Sequence, residues 1–254
     1  MNLYFNPELS KNYKSSSQKV RALSENWMEE NMYCPNCGHP RIKSLPNNSP
    51  VADFRCEQCG EVYELKSHQG KYGKKIMDGA YSTMIKRITN NTNTDLFVLQ
   101  YTDQYMVHDL FLIPRFFFVP EIIERREPLA EGARRAGWVG CNILYQNIPN
   151  QAKISVIADG IPGKPEDVVA GYNHIKQLQN NNLDSRGWLI DVLNCIDQID
   201  AEVFTLKDVY EYKDILKVKH PSNNNIEAKI RQQLQFLRDK GFIEFFGNGY
   251  YRKL

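Results

Sequence analysis

Apolar residues recur along this chain at two periods, one helical and one extended, and these periods predict its secondary structure. Helical spacing predicts helices over residues 17–31, 76–88 and about 165–178. Extended patterns predict strands over 51–55, 62–65, 95–101, 106–113 and 154–158. The first 180 residues are therefore predicted to form a mixed α/β domain.

The apolar pattern changes after residues 180–187, a stretch rich in asparagine that has no period of its own and is the predicted linker. Helical spacing then predicts three helices, over 188–199, from Thr205 and over about 224–240. In the last 13 residues Gly-Asn-Gly separates two aromatic runs, which predicts a β-hairpin. Three helices followed by a hairpin are typical of a winged helix.

Helix-end signals support this pattern. Thr205 is a predicted N-cap because Asp208 follows three residues later, and Gly241 is the predicted residue after the last helix. We therefore predict two domains, an α/β domain over 1–181 and a winged helix over 182–254.

The composition limits the class of protein. The chain has 254 residues, of which 42% are hydrophobic, so it can form a sizeable core and global disorder is excluded. Its net charge is only +2, so a nucleic-acid partner requires locally concentrated Lys and Arg. No apolar run approaches the ~20 residues of a membrane helix, and the first residues lack a signal-peptide pattern. We expect a cytoplasmic protein with no membrane partner.

Four of the six cysteines form two C-x-x-C pairs, Cys34 with Cys37 and Cys56 with Cys59, separated by eighteen residues. This spacing is typical of a four-cysteine zinc ribbon, in which two tight turns complete a closed tetrahedron. A closed shell makes the zinc structural. The alternative, a redox C-x-x-C or unrelated thiols, does not account for two spaced pairs.

A carboxylate pattern is interleaved with the cysteines. Glu64 and Lys66 are two residues apart, so on a strand both point to one face, and Asp53 lies on the preceding extended run. If the two runs pair as a hairpin, the three side chains converge. Two carboxylates suit Mg²⁺, and the lysine suits an attacking water. The alternative is a solvated edge strand, because Glu-x-Lys alone is common by chance.

The second cysteine pair occupies the loop between these two extended runs. Zinc bound there fixes the turn, and with it the register that brings Asp53 beside Glu64. The register matters because a slip of one residue would turn these side chains to the opposite face.

The sequence PVADF followed by ELK, with ten residues between Asp53 and Glu64, resembles the PD-(D/E)xK nuclease motif. Together with the four cysteines, the segment RRAGW and the C-terminal KIRQQLQFLRDKGFIEF, it closely resembles the DpnI family of restriction endonucleases, which includes the Dam-replacing proteins. The likeness covers essentially the full chain. One departure from the general motif is that Val51 and Ala52 separate the proline from the aspartate.

The resemblance implies an endonuclease that cuts double-stranded DNA at GATC when the adenine carries an N6-methyl group. It implies that Asp53 and Glu64 bind catalytic Mg²⁺, that Lys66 assists the water, and that both domains read the site. It also implies a monomer. Two rivals stay open: a DNA-binding regulator that does not cleave, and a nuclease of the same fold with another methyl or sequence preference.

The third helix of the winged helix is the predicted recognition element. Its predicted buried stripe leaves polar side chains that suit adenine and guanine edges on the far side, namely Asn225, Arg231, Gln232 and Gln235, with Lys229 at the flank. Arg252 and Lys253 are predicted phosphate contacts on the wing. The alternative is that these helix residues are simply good solvated helix formers.

A second predicted DNA contact is the glycine-flanked loop that places Arg134 and Arg135 beside Trp138. An aromatic ring in such a loop can insert against a base step or touch methyl groups in the groove. The alternative is a tryptophan buried under its own loop. Trp188 is predicted to lie in the core of the winged helix, with a methyladenine pocket as the alternative.

Overall fold

The structure is a computed structural model that describes residues 1–46 and 52–254. The first residue of the strand predicted over 51–55, and the proline of the PVADF motif, lie outside the described residues. The helices are α1 Ser16–Asn31, α2 Tyr81–Thr89, α3 Pro165–Lys176, α4 Leu183–Asp197, α5 Leu206–Tyr210, α6 Lys213–Lys219 and α7 Ile226–Asp239. The strands are β1 Lys43–Ser44, β2 Phe54–Arg55, β3 Val62–Gln69, β4 Ile76–Ala80, β5 Asp95–Tyr101, β6 Val107–Ile113, β7 Ile123–Arg125, β8 Gly140–Ile143, β9 Ile154–Ala158, β10 Ile161–Pro162, β11 Val203–Thr205, β12 Ile243–Gly247 and β13 Tyr250–Lys253.

A seven-stranded mixed sheet forms the centre of the first part of the chain, in the order β1-β2-β3-β5-β6-β9-β10. Only β3 and β5 pair in parallel among its described strands, and β4 with α2 makes the crossover between them. All seven residues of β5 are buried, because the strand lies in the middle of the sheet. The buried face of α1, with Leu23, Trp27 and Met28, packs near β3. The predicted mixed α/β core is confirmed.

A small second sheet, in the order β4-β8-β7, corrects one prediction. The segment Ile76–Ala80 is a strand paired antiparallel with β8, and only Tyr81–Thr89 is helical, so the helix predicted over 76–88 is wrong in its first third. A short apolar run cannot be assigned to helix or strand from its period alone. Here the main-chain hydrogen bonds offered by β8 decide in favour of a strand.

The first helix of the C-terminal part begins earlier than the predicted start at residue 188. Helix α4 starts at Leu183, because the Asn182 side chain caps it by accepting from Ser185 N at 2.8 Å, so the linker predicted over 180–187 is too long. Arg186 is then buried, and it donates to Ile88 O of α2 at 3.3 Å. This contact joins α4 to the α/β domain.

The remaining C-terminal elements agree with a helix-turn-helix and a wing. Thr205 and Asp208 form a reciprocal capping box, and Gly241 after α7 has φ +73°, so both predicted signals are confirmed. The predicted second helix is divided into α5 and α6. The predicted hairpin, β12 with β13, is joined by β11 in a three-stranded sheet that the pattern did not predict. Across the described residues, no helix combines the length and the apolar character needed to cross a membrane.

Candidate active site and metal-binding residues

The two cysteine pairs form turns of the same construction. Gly38 N donates to Cys34 O at 2.8 Å, and Gly60 N donates to Cys56 O at 3.0 Å. Both glycines have positive φ, +75° and +76°, which a side chain at either position would strain. The sequence C-x-x-C-G therefore folds locally into a tight turn that points both sulfurs inward.

The four sulfurs lie at the distances that one zinc ion requires. Cys34 Sγ is 3.6 Å from Cys59 Sγ, and Cys37 Sγ is 3.6 Å from Cys56 Sγ. All four lie within 4.8 Å of one another. A zinc–sulfur bond of about 2.3 Å gives a tetrahedron with edges of about 3.8 Å. The cluster fits structural zinc. Burial raises the pKa of the Cys34 thiol, and a cation bound to the thiolate would oppose that rise.

A buried tyrosine connects this cluster with the neighbouring strand. Tyr63 Oη lies 3.1 Å from Cys34 Sγ, and the Tyr63 ring packs against Phe97 with centroids 5.2 Å apart. Tyr63 is fully buried, and it immediately precedes Glu64 on β3. The two residues are 29 positions apart, so no local pattern in the sequence indicates this contact.

The structure brings Asp53, Glu64 and Lys66 together at one cavity of about 360 Å³. Lys66 Nζ is 2.8 Å from Glu64 Oε1, as expected for two side chains on one face of a strand. Asp53 N donates to Tyr63 O at 2.9 Å, and Asp53 Oδ2 accepts from Leu65 N at 2.8 Å. The pairing of β2 with β3 thus holds Asp53 beside Glu64.

Four further charged residues surround these three, and the sequence analysis named none of them. Arg21 and Glu25 of α1 line the same cavity and pair with each other at 2.6 Å. Arg87 Nη1 of α2 lies 3.9 Å from Glu64 Oε2. Asp78 Oδ1 of β4 accepts from Lys66 Nζ at 2.6 Å. Asp78 went unnoticed because its segment reads as a helix, although Gly79 within that segment was a signal for a bulged strand.

The site holds a protonated lysine between carboxylates. Burial alone would lower the pKa of Lys66, but the Glu64 and Asp78 carboxylates raise it above its ordinary value. Burial raises the pKa of Glu64, and the Lys66 ammonium opposes that shift. A further cation beside Glu64 would favour its ionised form. The oxygen donors of Asp53 and Glu64 suit Mg²⁺.

The loop that carries RRAGW is a hydrogen-bonded extension of the β7–β8 hairpin, which we call the arm (residues 126–139). Leu129 N donates to Trp138 O at 3.0 Å, and Gly137 N donates to Leu129 O at 2.9 Å. Arg134 and Arg135 are exposed, and Arg135 Cζ lies 4.3 Å from the centre of the Trp138 ring. The ring is half-buried between Arg135 and the backbone of Gly140, where a Cβ atom would lie 2.9 Å from it.

On the winged helix, the residues predicted to read DNA fall into two groups. Asn225, Gln232 and Gln235 are exposed. Arg231 donates to the Tyr210 hydroxyl, and Lys229 Nζ lies 5.9 Å from the centre of the Trp188 ring, so both are held by their own domain.

The two predicted phosphate contacts on the wing, Arg252 and Lys253, also have partners within their own domain. Arg252 stacks on Phe246 at 4.7 Å and lies 3.5 Å from Glu244, and Lys253 donates to Ile199 O. Trp188 is 1% exposed and stacks on His220 with centroids 3.8 Å apart, which confirms the prediction that it belongs to the core.

A mixed α/β domain with a four-cysteine cluster, followed by a helix-turn-helix, is an arrangement typical of DNA-binding proteins. Comparison with known families then identifies the family of DNA-binding protein. The family model DpnI, described as the Dam-replacing family, matches residues 1–181, and the model of the Dam-replacing HTH domain matches residues 184–253. The chain therefore belongs to the Dam-replacing (DpnI) family, and it is a restriction endonuclease with a DNA-binding HTH domain.

Proposed function

We propose that this protein is a methyl-directed type II restriction endonuclease that hydrolyses double-stranded DNA at GATC sites carrying N6-methyladenine. The observation that carries the proposal is the convergence of Asp53, Glu64 and Lys66 on one cavity in a chain of the Dam-replacing family. Asp53 immediately before β2, with Glu64 and Lys66 on the neighbouring β3, supports assigning these residues to a PD-(D/E)xK motif.

Asp53 and Glu64 would hold Mg²⁺ through their free oxygens, and Leu65 N keeps Asp53 in place for this role. In that position Mg²⁺ would supply a water of lowered pKa and positive charge to neutralise the leaving oxygen. The Lys66 ammonium, held between its two carboxylates, would orient the attacking water and offset negative charge on the phosphoryl oxygens. The product would carry a 5′-phosphate.

The four cysteines would hold zinc in a structural role. The cluster connects to β2 through Cys56 and to β3 through Tyr63, so bound zinc fixes both strands that carry the carboxylates. Metal binding in such a site contributes directly to folding.

Specificity would come from both domains, which we place at 1–181 and 182–254. Asn225, Gln232 and Gln235 on the exposed face of α7 suit adenine edges in the major groove. Lys229, Arg231, Arg252 and Lys253 would have to exchange their present partners for DNA. The arm would place Trp138, with Arg134 and Arg135, against the base step or its methyl groups.

The proposal is tested with a plasmid prepared in Dam-methylated and unmethylated forms, each incubated with the purified protein and Mg²⁺. Cutting of the methylated form alone supports the proposal. Cutting of both forms, or of the unmethylated form alone, assigns the protein to nucleases with another preference. Binding without cutting identifies a regulator that does not cleave.

A further inference from the structure

Asp78 contacts Lys66 from a different sheet from the one that carries the other site residues. Its Oδ1 accepts from Lys66 Nζ at 2.6 Å and from Gly79 N at 2.6 Å. The side chain is only 5% exposed, so the carboxylate reaches the lysine from inside the fold. Lys66 thus lies between Glu64 on β3 and Asp78 on β4.

A β-bulge directs Asp78 toward the lysine. In the pairing of β4 with β8, Asp78 lies opposite Cys141 and Ala80 lies opposite Gly140, so Gly79 is the additional residue on β4. Bulges beside functional sites commonly re-aim a side chain. The hydrogen bond from Gly79 N to the carboxylate fixes the side chain in that direction.

The second oxygen of the Asp78 carboxylate makes this residue costly to the fold. Among the described residues, Asp78 Oδ2 is buried and has no hydrogen-bond partner. A buried carboxylate oxygen left without a partner is costly, and such groups are rare in folded proteins. A purely structural position would be filled at lower free energy by an apolar side chain.

The charges around Lys66 indicate what Asp78 does. Glu64 lies on the same strand as Lys66, with its Oε1 2.8 Å from the lysine Nζ, but Glu64 is also a proposed ligand of Mg²⁺. When Glu64 gives its oxygens to a cation, its attraction for the ammonium weakens. Asp78 lies outside the residues lining the Asp53–Glu64 cavity, so its hold on the ammonium persists.

We propose that Asp78 is a positioning residue, which holds the Lys66 ammonium in place from the side opposite Glu64 while Glu64 binds the metal ion. The proposal rests on the nuclease function proposed above. It deepens that function, because Asp78 belongs to the small sheet that also carries the arm. The pairing of β4 with β8 thereby connects the DNA-contacting arm with the catalytic lysine.

The test compares Asp78→Asn with the wild-type protein in single-turnover cleavage of methylated GATC duplex. We expect the cleavage rate to fall at least tenfold, DNA affinity measured with Ca²⁺ in place of Mg²⁺ to stay within twofold, and the melting temperature to change little. Glu124→Gln is the matched control, since Glu124 lies on the same sheet and pairs with Lys75 at 2.5 Å. It should cleave at the wild-type rate.

A second readout does not depend on cleavage. In metal-free protein, the rate at which an amine-directed reagent modifies Lys66 is followed by mass spectrometry, with Lys75 as the internal reference. Asp78→Asn should make Lys66 react several times faster, because the ammonium loses one of its two partners. This readout keeps the inference testable even if the wild-type protein cuts no DNA, which would overturn only the proposed nuclease function.

Two results would overturn the inference. One is an Asp78→Asn protein that cleaves within twofold of wild type and leaves Lys66 reactivity unchanged. The other is a loss of cleavage matched by equal losses of DNA affinity and thermal stability, because that pattern assigns Asp78 to folding. If Asp78→Asn does not fold, Asp78→Ser is measured in the same way and judged by the same two results.

Discussion

Tyr63 Oη lies 3.1 Å from Cys34 Sγ, and the next residue after Tyr63 is Glu64. The four-cysteine cluster is therefore attached to β3 by a buried hydrogen bond as well as by the chain that runs from Cys59 into Val62. A hydrogen bond to a metal-binding thiolate orients the ligand and stabilises its charge. The contact therefore places the cluster one residue along β3 from a proposed Mg²⁺ ligand.

Replacing Tyr63 with Phe should weaken zinc binding, because the Cys34 thiolate loses its donor. Partners of this kind contribute roughly tenfold or more to metal affinity. The measurement is the rate of zinc transfer to a chromophoric chelator. Tyr33→Phe is the control, since the Tyr33 hydroxyl is buried with no hydrogen-bond partner among the described residues. Equal zinc release by the two variants would show that the Tyr63 contact is without effect.

Removing zinc should unfold the part of the chain that carries Asp53 and Glu64. Structural zinc contributes about 10–16 kcal/mol of binding free energy at neutral pH, which is folding free energy when the unfolded chain has no site. We expect a zinc-selective chelator to abolish cleavage in the presence of Mg²⁺ and to lower the melting temperature. A protein shown by metal analysis to be free of zinc, yet melting and cutting like the untreated protein, would contradict this.

Asp95 should make stability depend on pH in the direction opposite to most carboxylates. Burial raises the pKa of Asp95 from 3.8 to about 6, against the hydrogen bonds from Tyr172 and Arg115. The folded protein therefore retains a proton that the unfolded chain releases near pH 4. The contribution of Asp95 to the free energy of unfolding is complete below pH 4. It is lost as pH rises through 6, a change of roughly 3 kcal/mol.

Urea unfolding of the wild-type protein and Asp95→Asn between pH 4 and 7 measures this effect. The free energy of unfolding of wild type, relative to the variant, should fall as pH rises. Asp103→Asn, at an exposed position, serves as the control, and its free energy of unfolding should change with pH in the same way as that of wild type. A constant difference between wild type and Asp95→Asn across this range would rule the assignment out.

Trp138→Ala should reduce the preference for methylated DNA, because the arm loses the ring that is proposed to face the methyl groups. The quantity to compare is the ratio of cleavage rates on methylated and unmethylated duplexes. Trp138→Phe keeps an aromatic ring over Gly140 and should retain most of the ratio. If the alanine variant discriminates as well as wild type, the arm does not read methylation.

The parts of the site that were predictable from sequence are those set by local spacing. The turns at Gly38 and Gly60 follow from C-x-x-C-G, and the common face of Glu64 and Lys66 follows from the period of a strand. Asp78 depends on the pairing of β4 with β8, whose partner residues are more than 60 positions away. Arg21 and Glu25 meet Asp53 only through the packing of α1, which no local pattern encodes.

The same distinction applies to the fold. The strand Ile154–Ala158 was predicted to the residue, since its apolar run is bounded by polar turns. The start of α4 was missed, because the Asn182 cap is one of several asparagines in a row and only its hydrogen bond to Ser185 N distinguishes it. Strand β11 has only three residues, too few to show an alternating apolar pattern. It forms because the edge of β13 supplies main-chain hydrogen-bond partners.

The central claim is that Asp53, Glu64 and Lys66 cut DNA. The most direct measurement is cleavage of Dam-methylated plasmid with Mg²⁺ by the wild-type protein, by Asp53→Ala and by the exposed control Asp103→Ala, alongside binding of the same DNA with Ca²⁺. We predict that Asp53→Ala binds like wild type and does not cleave, whereas the control cleaves normally. Persistent cleavage by Asp53→Ala at the wild-type rate would contradict the assignment of this site.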